Sequence, residues 1–151
     1  MRTGDVVDEF EALDQDGKPV RLSQLLETGP IVLFFYPKAM TPGCTAESCH
    51  FRDVAADFDA AGAQRVGISA DDVARQKAFD EKYDLGYALL SDPDRKIARQ
   101  FGVKRLGFLP SKRATFVIDA DATVLGVIQS ELDMSSHADE ALEILGRRTA
   151  G

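Results

Sequence analysis

Cysteine is scarce in this 151-residue chain: there are two, Cys44 and Cys49, and no second pair. A disulfide-stapled scaffold is therefore excluded, and so is a closed structural zinc site built on cysteine pairs. No Cys-x-x-Cys occurs, which most thiol-disulfide exchangers carry. Long apolar runs are missing too, and none approaches the roughly 20 residues that span a bilayer. Met1-Arg2-Thr3-Gly4-Asp5 opens no apolar signal region, so a cytoplasmic location is the expectation. Positive charge is not in excess: the formal net charge of −7 argues against nucleic acid and anionic membranes as partners. Repeats, linkers and low-complexity segments are absent. What is left is an ordinary globule, 44% hydrophobic and 28% charged, read as one domain over 1–151 with a sizeable core.

The stretch Pro37-Lys38-Ala39-Met40-Thr41-Pro42-Gly43-Cys44-Thr45-Ala46-Glu47-Ser48-Cys49 organises the chain. The apolar run Ile31-Val32-Leu33-Phe34-Phe35-Tyr36 before it reads as a buried strand, and the segment after it has helical periodicity. Chemistry in open α/β sheets gathers at such strand ends. Thr41 suits an N-cap and Pro42 the first helical position, where its missing N–H removes no bond. Cys44 then falls in the first turn, among unpaired N–H groups at the positive end of the helix dipole. Such a place favours thiolate over thiol. Full ionisation enriches thiolate only about thirtyfold over a free thiol at pH 7, so groups that stabilise a transition state must supply the rest of any rate. Along the helix, Phe51, Val54, Ala55 and Phe58 form one stripe. Cys44 and Glu47 project within about 40° of it and Cys49 about 160° away, so Cys44 should face inward with Glu47 near it, and Cys49 outward.

Elsewhere, 10–13 and 19–22 flank Asp14-Gln15-Asp16-Gly17 as a hairpin, and Ser23 could cap a short helix to residue 26. The cysteine-bearing helix should run to about residue 61, ahead of Gly62. Strands follow at 64–69, 87–90, 114–118 and 124–128. Helices follow from Asp71 or Asp72 to about 83, from Asp92-Pro93-Asp94 to about 101, and from Ser135 or Ser136 to about 148. Residues 95–113 carry seven basic side chains and no acidic one, either as a solvated face or as a positive field near the thiolate or an acidic partner. His50 and His137 fit no catalytic pattern and are expected at the surface.

The cysteine stretch resembles the active-site segment of the peroxiredoxins, Pro-x-x-x-Thr/Ser-x-x-Cys, through Pro37, Thr41 and Cys44. The longer Thr-Pro-Gly-Cys-Thr-x-Glu-x-Cys is similar to the Q subfamily, also called bacterioferritin comigratory protein. The resemblance runs from about Gly4 to Arg148, and includes Gly67-Ile68-Ser69-Ala70-Asp71, Leu89-Leu90-Ser91-Asp92-Pro93 and Arg113-Ala114-Thr115-Phe116-Val117-Ile118-Asp119. Ala39 departs from it, since an acidic residue is common there. The resemblance implies a thioredoxin-like α/β fold, a central mixed sheet flanked by helices, with the N-terminal hairpin as an extension. It implies a thiol peroxidase needing no cofactor or metal. Cys44 would attack a hydroperoxide and become a sulfenic acid, with Thr41, the Cys44 N–H and Arg113 holding the peroxide oxygens. Cys49 would then close a disulfide with Cys44, which thioredoxin or a similar dithiol would reduce. Glu47 would either tune the thiol and relay a proton or serve only as a favourable charge near the helix start. The protein would be a monomer, with Leu106-Gly107-Phe108-Leu109-Pro110 as core cover or a weak dimer patch. Three other readings remain open: a peroxide sensor using the same cysteines, a disulfide exchanger, and a metal-binding module using Cys44, Cys49 and His50.

Overall fold

The computed structural model describes residues 1–105, 111–131 and 133–150, with side chains through Arg148. The apolar segment 106–110, considered above as core cover or a dimer patch, lies outside the described residues. Seven strands and six helices follow in chain order among the described residues: β1 (Glu11–Leu13), β2 (Pro19–Arg21), α1 (Leu22–Leu26), β3 (Ile31–Phe35), α2 (Pro42–Asp53), α3 (Ala55–Ala60), β4 (Gln64–Ser69), α4 (Val73–Tyr83), β5 (Ala88–Ser91), α5 (Lys96–Gln100), β6 (Ala114–Ile118), β7 (Val124–Gln129) and α6 (Ser136–Ala150). The sheet order is β2-β1-β5-β4-β3-β6-β7. β3, β4 and β5 are parallel, whereas β6 and β7 extend the sheet antiparallel and the β1–β2 hairpin joins through Leu13 opposite Ser91. The fold is the thioredoxin-like arrangement with an added hairpin.

β3 is buried at every position because helices cover both faces, which is why it reads as an unbroken apolar run. Its side chains alternate between two cores. Ile31, Leu33 and Phe35 join Phe10, Leu25, Ile97, Phe101 and Phe116 on one face. Val32, Phe34 and Tyr36 join Cys44, Phe51, Phe58, Phe79, Ala141 and Leu145 on the other. On β6, Phe116 belongs to the first face and Val117 to the second. By the same alternation Arg113 and Thr115 point to the face that holds Cys44.

Four local expectations need correction. The cysteine-bearing helix does not run unbroken to residue 61: Val54 (φ −101°, ψ 23°) ends α2 and starts α3. At that break the Phe51 carbonyl accepts from the Arg65 guanidinium at 2.9 Å, a tertiary bond that replaces helix pairing. The cap of α1 is Arg21, not Ser23, with the Gln24 side chain returning to the Arg21 N–H. α5 starts at Lys96, not at Asp92, because Arg95 takes a left-handed conformation (φ 57°) and the Asp92 carboxylate accepts from the N–H groups of Ile97 and Ala98 instead. His137 is fully buried rather than at the surface, and His50 is half-buried against Asp139.

Candidate active site

β3 delivers the chain to the site. Tyr36 is still fully buried, Pro37 makes the exit half-buried, and Ala39 is again buried. Pro37 brings no functional group. It fixes φ and removes an N–H as the chain leaves the sheet. Ala39 is clamped through its backbone: its N–H donates to Asp71 at 2.7 Å, and its carbonyl accepts from Arg75 at 3.1 Å. Asp71 is held in turn by the Ser69 hydroxyl and by Arg75. Met40 then turns the chain with φ 71°, a conformation uncommon for a residue with a side chain.

Thr41 occupies the N-cap of α2 with extended backbone, and Pro42 the first helical position, as expected. The cap bond itself is missing. An N-cap threonine ordinarily accepts from the third helical N–H, which here belongs to Cys44. Instead the Thr41 hydroxyl spends its single proton on the Lys38 carbonyl at 2.7 Å. The hydroxyl oxygen is left as an acceptor and the Cys44 N–H as a donor. The first ladder bond of α2 runs from the Thr45 N–H to the Thr41 carbonyl, one residue beyond Cys44.

Cys44 is fully buried and free. Arg113, in the residue before β6, reaches it because Phe35 pairs with Ala114, which sets the start of β6 beside the end of β3. The guanidinium forks: Nη2 donates to Cys44 Sγ at 3.2 Å and Nη1 to Glu47 Oε1 at 2.5 Å. The Arg113 N–H is held by Glu131, which also binds Arg105. Burial opposes the arginine charge, yet Glu47 and Cys44 outweigh it and hold the guanidinium more firmly protonated than a free one. Burial pushes the Glu47 carboxyl up to about 7, with Arg113 pulling the other way. Glu47 Oε2 has no hydrogen-bond partner among the described residues and lies 3.6 Å from His137 Nδ1.

Arg113 thus brings Cys44 and Glu47 together, and Thr41 stands at the N-cap of the helix that carries both. Cys49 does not join them: it is half-buried, also free, and on the same intact helix. His137 was missed. Its signal was helical spacing, since Ala141 and Leu145 lie four and eight residues on and line the same core. Of the basic run, Arg113 belongs to the site and Arg105 touches its rim through Glu131, whereas Lys96 and Arg99 are exposed. His50 pairs with Asp139 at 2.8 Å, and no group of three or more His, Cys, Asp or Glu side chains among the described residues is arranged to hold a metal ion.

A cysteine at a helix start, free of cap competition and bridged by arginine, can act as a nucleophile toward a small polar substrate. Comparison with known proteins gives the same direction. Residues 3–127 match the AhpC/TSA family. A Mycobacterium tuberculosis protein named as a peroxiredoxin is 58% identical over 148 residues, 96% of each chain. The chloroplastic peroxiredoxin Q of Gentiana triflora is 44% identical over 94% of this chain and 65% of its own length. Among solved structures, peroxidoxin BcpB of M. tuberculosis superposes with a TM-score of 0.95 at 56% identity, covering 97% of each chain. The bacterioferritin comigratory protein of Xanthomonas campestris, studied for its alkyl peroxide reduction activity, superposes at 0.83 with 29% identity over 92% of this chain and 91% of that one.

Proposed function

This chain belongs to the AhpC/TSA family as a peroxiredoxin of the Q type, a thiol-dependent peroxidase, and from that premise we propose how its residues carry the reaction. The Cys44 thiolate attacks one oxygen of a hydroperoxide. The S–O bond forms as the O–O bond breaks, sulfur gives up two electrons, and the second oxygen leaves to take a proton as water or an alcohol. Cys44 is left as a sulfenic acid. Arg113 Nη2 and the Cys44 N–H donate toward the peroxide oxygens as negative charge moves along the breaking bond. The Thr41 oxygen accepts from the peroxide hydroxyl, since its own proton is already committed to Lys38. Glu47 holds the other half of the Arg113 fork. The observation that carries this reading is the 3.2 Å bond from Arg113 to Cys44 at an uncapped helix start.

Cys49 resolves the sulfenic acid. Its sulfur attacks Cys44 sulfur, hydroxide leaves and takes a proton, and a disulfide remains. A dithiol reduces that disulfide by exchange, and thioredoxin or a similar protein is the reductant we assign. Hydrogen peroxide and organic hydroperoxides are the substrate class. We read residues 1–151 as one peroxiredoxin domain, acting as a monomer. The acidic net charge of −7 supports a partner other than nucleic acid or an anionic membrane. No helix among the described residues is long and apolar enough to cross a membrane.

The test is peroxide consumption with thioredoxin and its reductase supplied. Cys44→Ser should abolish it with the fold retained, because a serine hydroxyl is scarcely ionised at pH 7. Turnover near wild type in that variant would show that another group is the nucleophile.

A further inference from the structure

His137 is buried beside the site, and nothing in the reaction above uses it. It comes from the first turn of α6 and is fully covered. Its Nε2 lies 2.8 Å from the Ser130 carbonyl. A carbonyl only accepts, so Nε2 carries a proton. Nδ1 lies 2.8 Å from the Thr115 hydroxyl and 3.6 Å from Glu47 Oε2, the carboxyl oxygen without a hydrogen-bond partner among the described residues. Without a proton between them, two electron-rich atoms face each other in a dry interior, and the carboxylate oxygen goes unpaired. The Thr115 hydroxyl donates to Nδ1 when the ring is neutral, so it is the carboxylate that needs relief, and one proton on either atom removes its uncompensated charge. On the oxygen it gives a neutral acid beside a neutral ring; on the nitrogen it gives a carboxylate beside an imidazolium. Either way the pair is neutral as a whole.

The charge count around Arg113 then decides what the thiolate meets. If the pair holds no proton, the Cys44 thiolate and the Glu47 carboxylate are two buried anions on one guanidinium. If it holds one, the guanidinium charge is left for sulfur and peroxide. We propose that His137 is a positioning residue of this site: with Glu47 it holds one buried proton, and that proton leaves the charge of Arg113 to the Cys44 thiolate. The proposal rests on the reading of Cys44 as the nucleophile.

The electrostatics agree in direction. Burial raises the Glu47 carboxyl to about 7 against Arg113. Burial, with Arg113 adding to it, lowers the His137 ring below its ordinary value, although the Ser130 bond opposes this. Both directions favour the proton on Glu47. Among the described residues, the other charged or titratable groups facing the pair are few. α2 brings Cys44, and the residue before β6 brings Arg113. Glu131 comes from the segment after β7 and is tied to Arg113 and Arg105. Glu140 on α6 is exposed and acts on the ring at longer range. Tyr87, before β5, is kept protonated by burial and donates to the Ser48 carbonyl. The half-buried His50–Asp139 pair bridges α2 and α6.

The test is the pH dependence of the second-order reaction with peroxide, measured in a single turnover, together with nitrogen NMR of the His137 ring in the reduced protein. In the wild type the rate should fall on an alkaline limb as the pair loses its proton, and the ring shifts should follow the same midpoint. Glu47→Gln should abolish both the limb and the ring response, since an amide does not titrate there. His137→Phe removes the acceptor and should move the limb down by about one pH unit. An unmoved limb in a cooperatively folded His137→Phe would overturn the proposal. So would His137 ring shifts that titrate identically in Glu47→Gln, and that measurement decides the matter even where His137→Phe fails to fold. If Cys44→Ser instead kept full turnover, the assignment of Cys44 as the nucleophile would fall, while the ring shifts would still report whether the proton is shared.

Discussion

Gly43 stands next to the reacting sulfur because it has no side chain. A Cβ there would lie 3.3 Å from Arg113 Nη2 and 3.5 Å from Met134 Sδ. Gly43→Ala should favour the helix, whose residues lose less freedom without glycine, by up to about 1 kcal/mol. It should also displace the guanidinium and slow the peroxide reaction several-fold. A variant with raised melting temperature and undiminished rate would show that Arg113 has slack. Arg113→Lys keeps a charge but loses the fork that touches Cys44 and Glu47 together. Its second-order rate with peroxide should drop on the order of tenfold or more, and an equal rate would reduce Arg113 to a distant charge. Glu47 predicts a stability slope. Its carboxyl is raised from 4.5 to about 7 in the folded state, so folding takes up a proton in that window. Stability is greatest below about pH 4.5 and falls as pH rises through 7, by up to ~3 kcal/mol from this group. His137, lowered by burial, works in the opposite sense below its ordinary value. The clean readout is therefore the difference between wild type and Glu47→Gln in denaturant melts across pH 4.5–7, and parallel curves would contradict it. At this scale the local residues were legible: Thr41, Cys44 and Glu47 follow from one helix start and one helical face. His137 was not, because a lone histidine carries no pattern unless its helix face is read with it.

The element under most demand is α2. Its two cysteines are five residues apart, which in an intact helix sets their Cα atoms about 8.6 Å apart and turned about 140° from each other. A disulfide needs Cα atoms within about 7 Å and converging side chains. Oxidation must therefore unwind the start of α2. The bonds given up are named: Arg113 to Cys44, Arg113 to Glu47 and the Tyr87 hydroxyl to the Ser48 carbonyl. Unwinding should stop near Phe51, which stacks on Phe34 at 4.1 Å and whose carbonyl is bound by Arg65. Amide hydrogen exchange should show protection lost over residues 42–50 in the disulfide form and kept from 51 onward. Equal protection in both forms, with a mapped Cys44–Cys49 bond, would contradict the mechanism. In Cys49→Ser the sulfenic acid has no resolving thiol, so overoxidation should rise with excess peroxide. Periodicity placed this helix and its inward face correctly. The break at Val54 and the cap at Arg21 escaped it: the break depends on Arg65, a partner distant in sequence, and arginine is not a residue that N-cap preference favours, although Gln24 stands at the capping-box position.

The whole molecule explains why one site gathers residues 69 positions apart. β6 runs antiparallel beside β3, so its start meets the end of β3 where α2 begins. The alternation of β6 sends Arg113 and Thr115 to the face shared by α2 and α6. The succession of strands and helices along the chain was legible as alternating signals, whereas the order of strands in the sheet, with β6 antiparallel against β3, is a non-local pairing that no window of sequence contains. That is why the position of Arg113 came from family resemblance rather than from spacing. Every role assigned to the site depends on Cys44 being the sulfur that peroxide oxidises first. The direct measurement is one equivalent of hydrogen peroxide added to reduced Cys49→Ser in the presence of dimedone, followed by intact mass and peptide mapping. One dimedone adduct per chain should form, on Cys44, in the amount of peroxide consumed. Peroxide loss without an adduct on Cys44 would contradict that assignment.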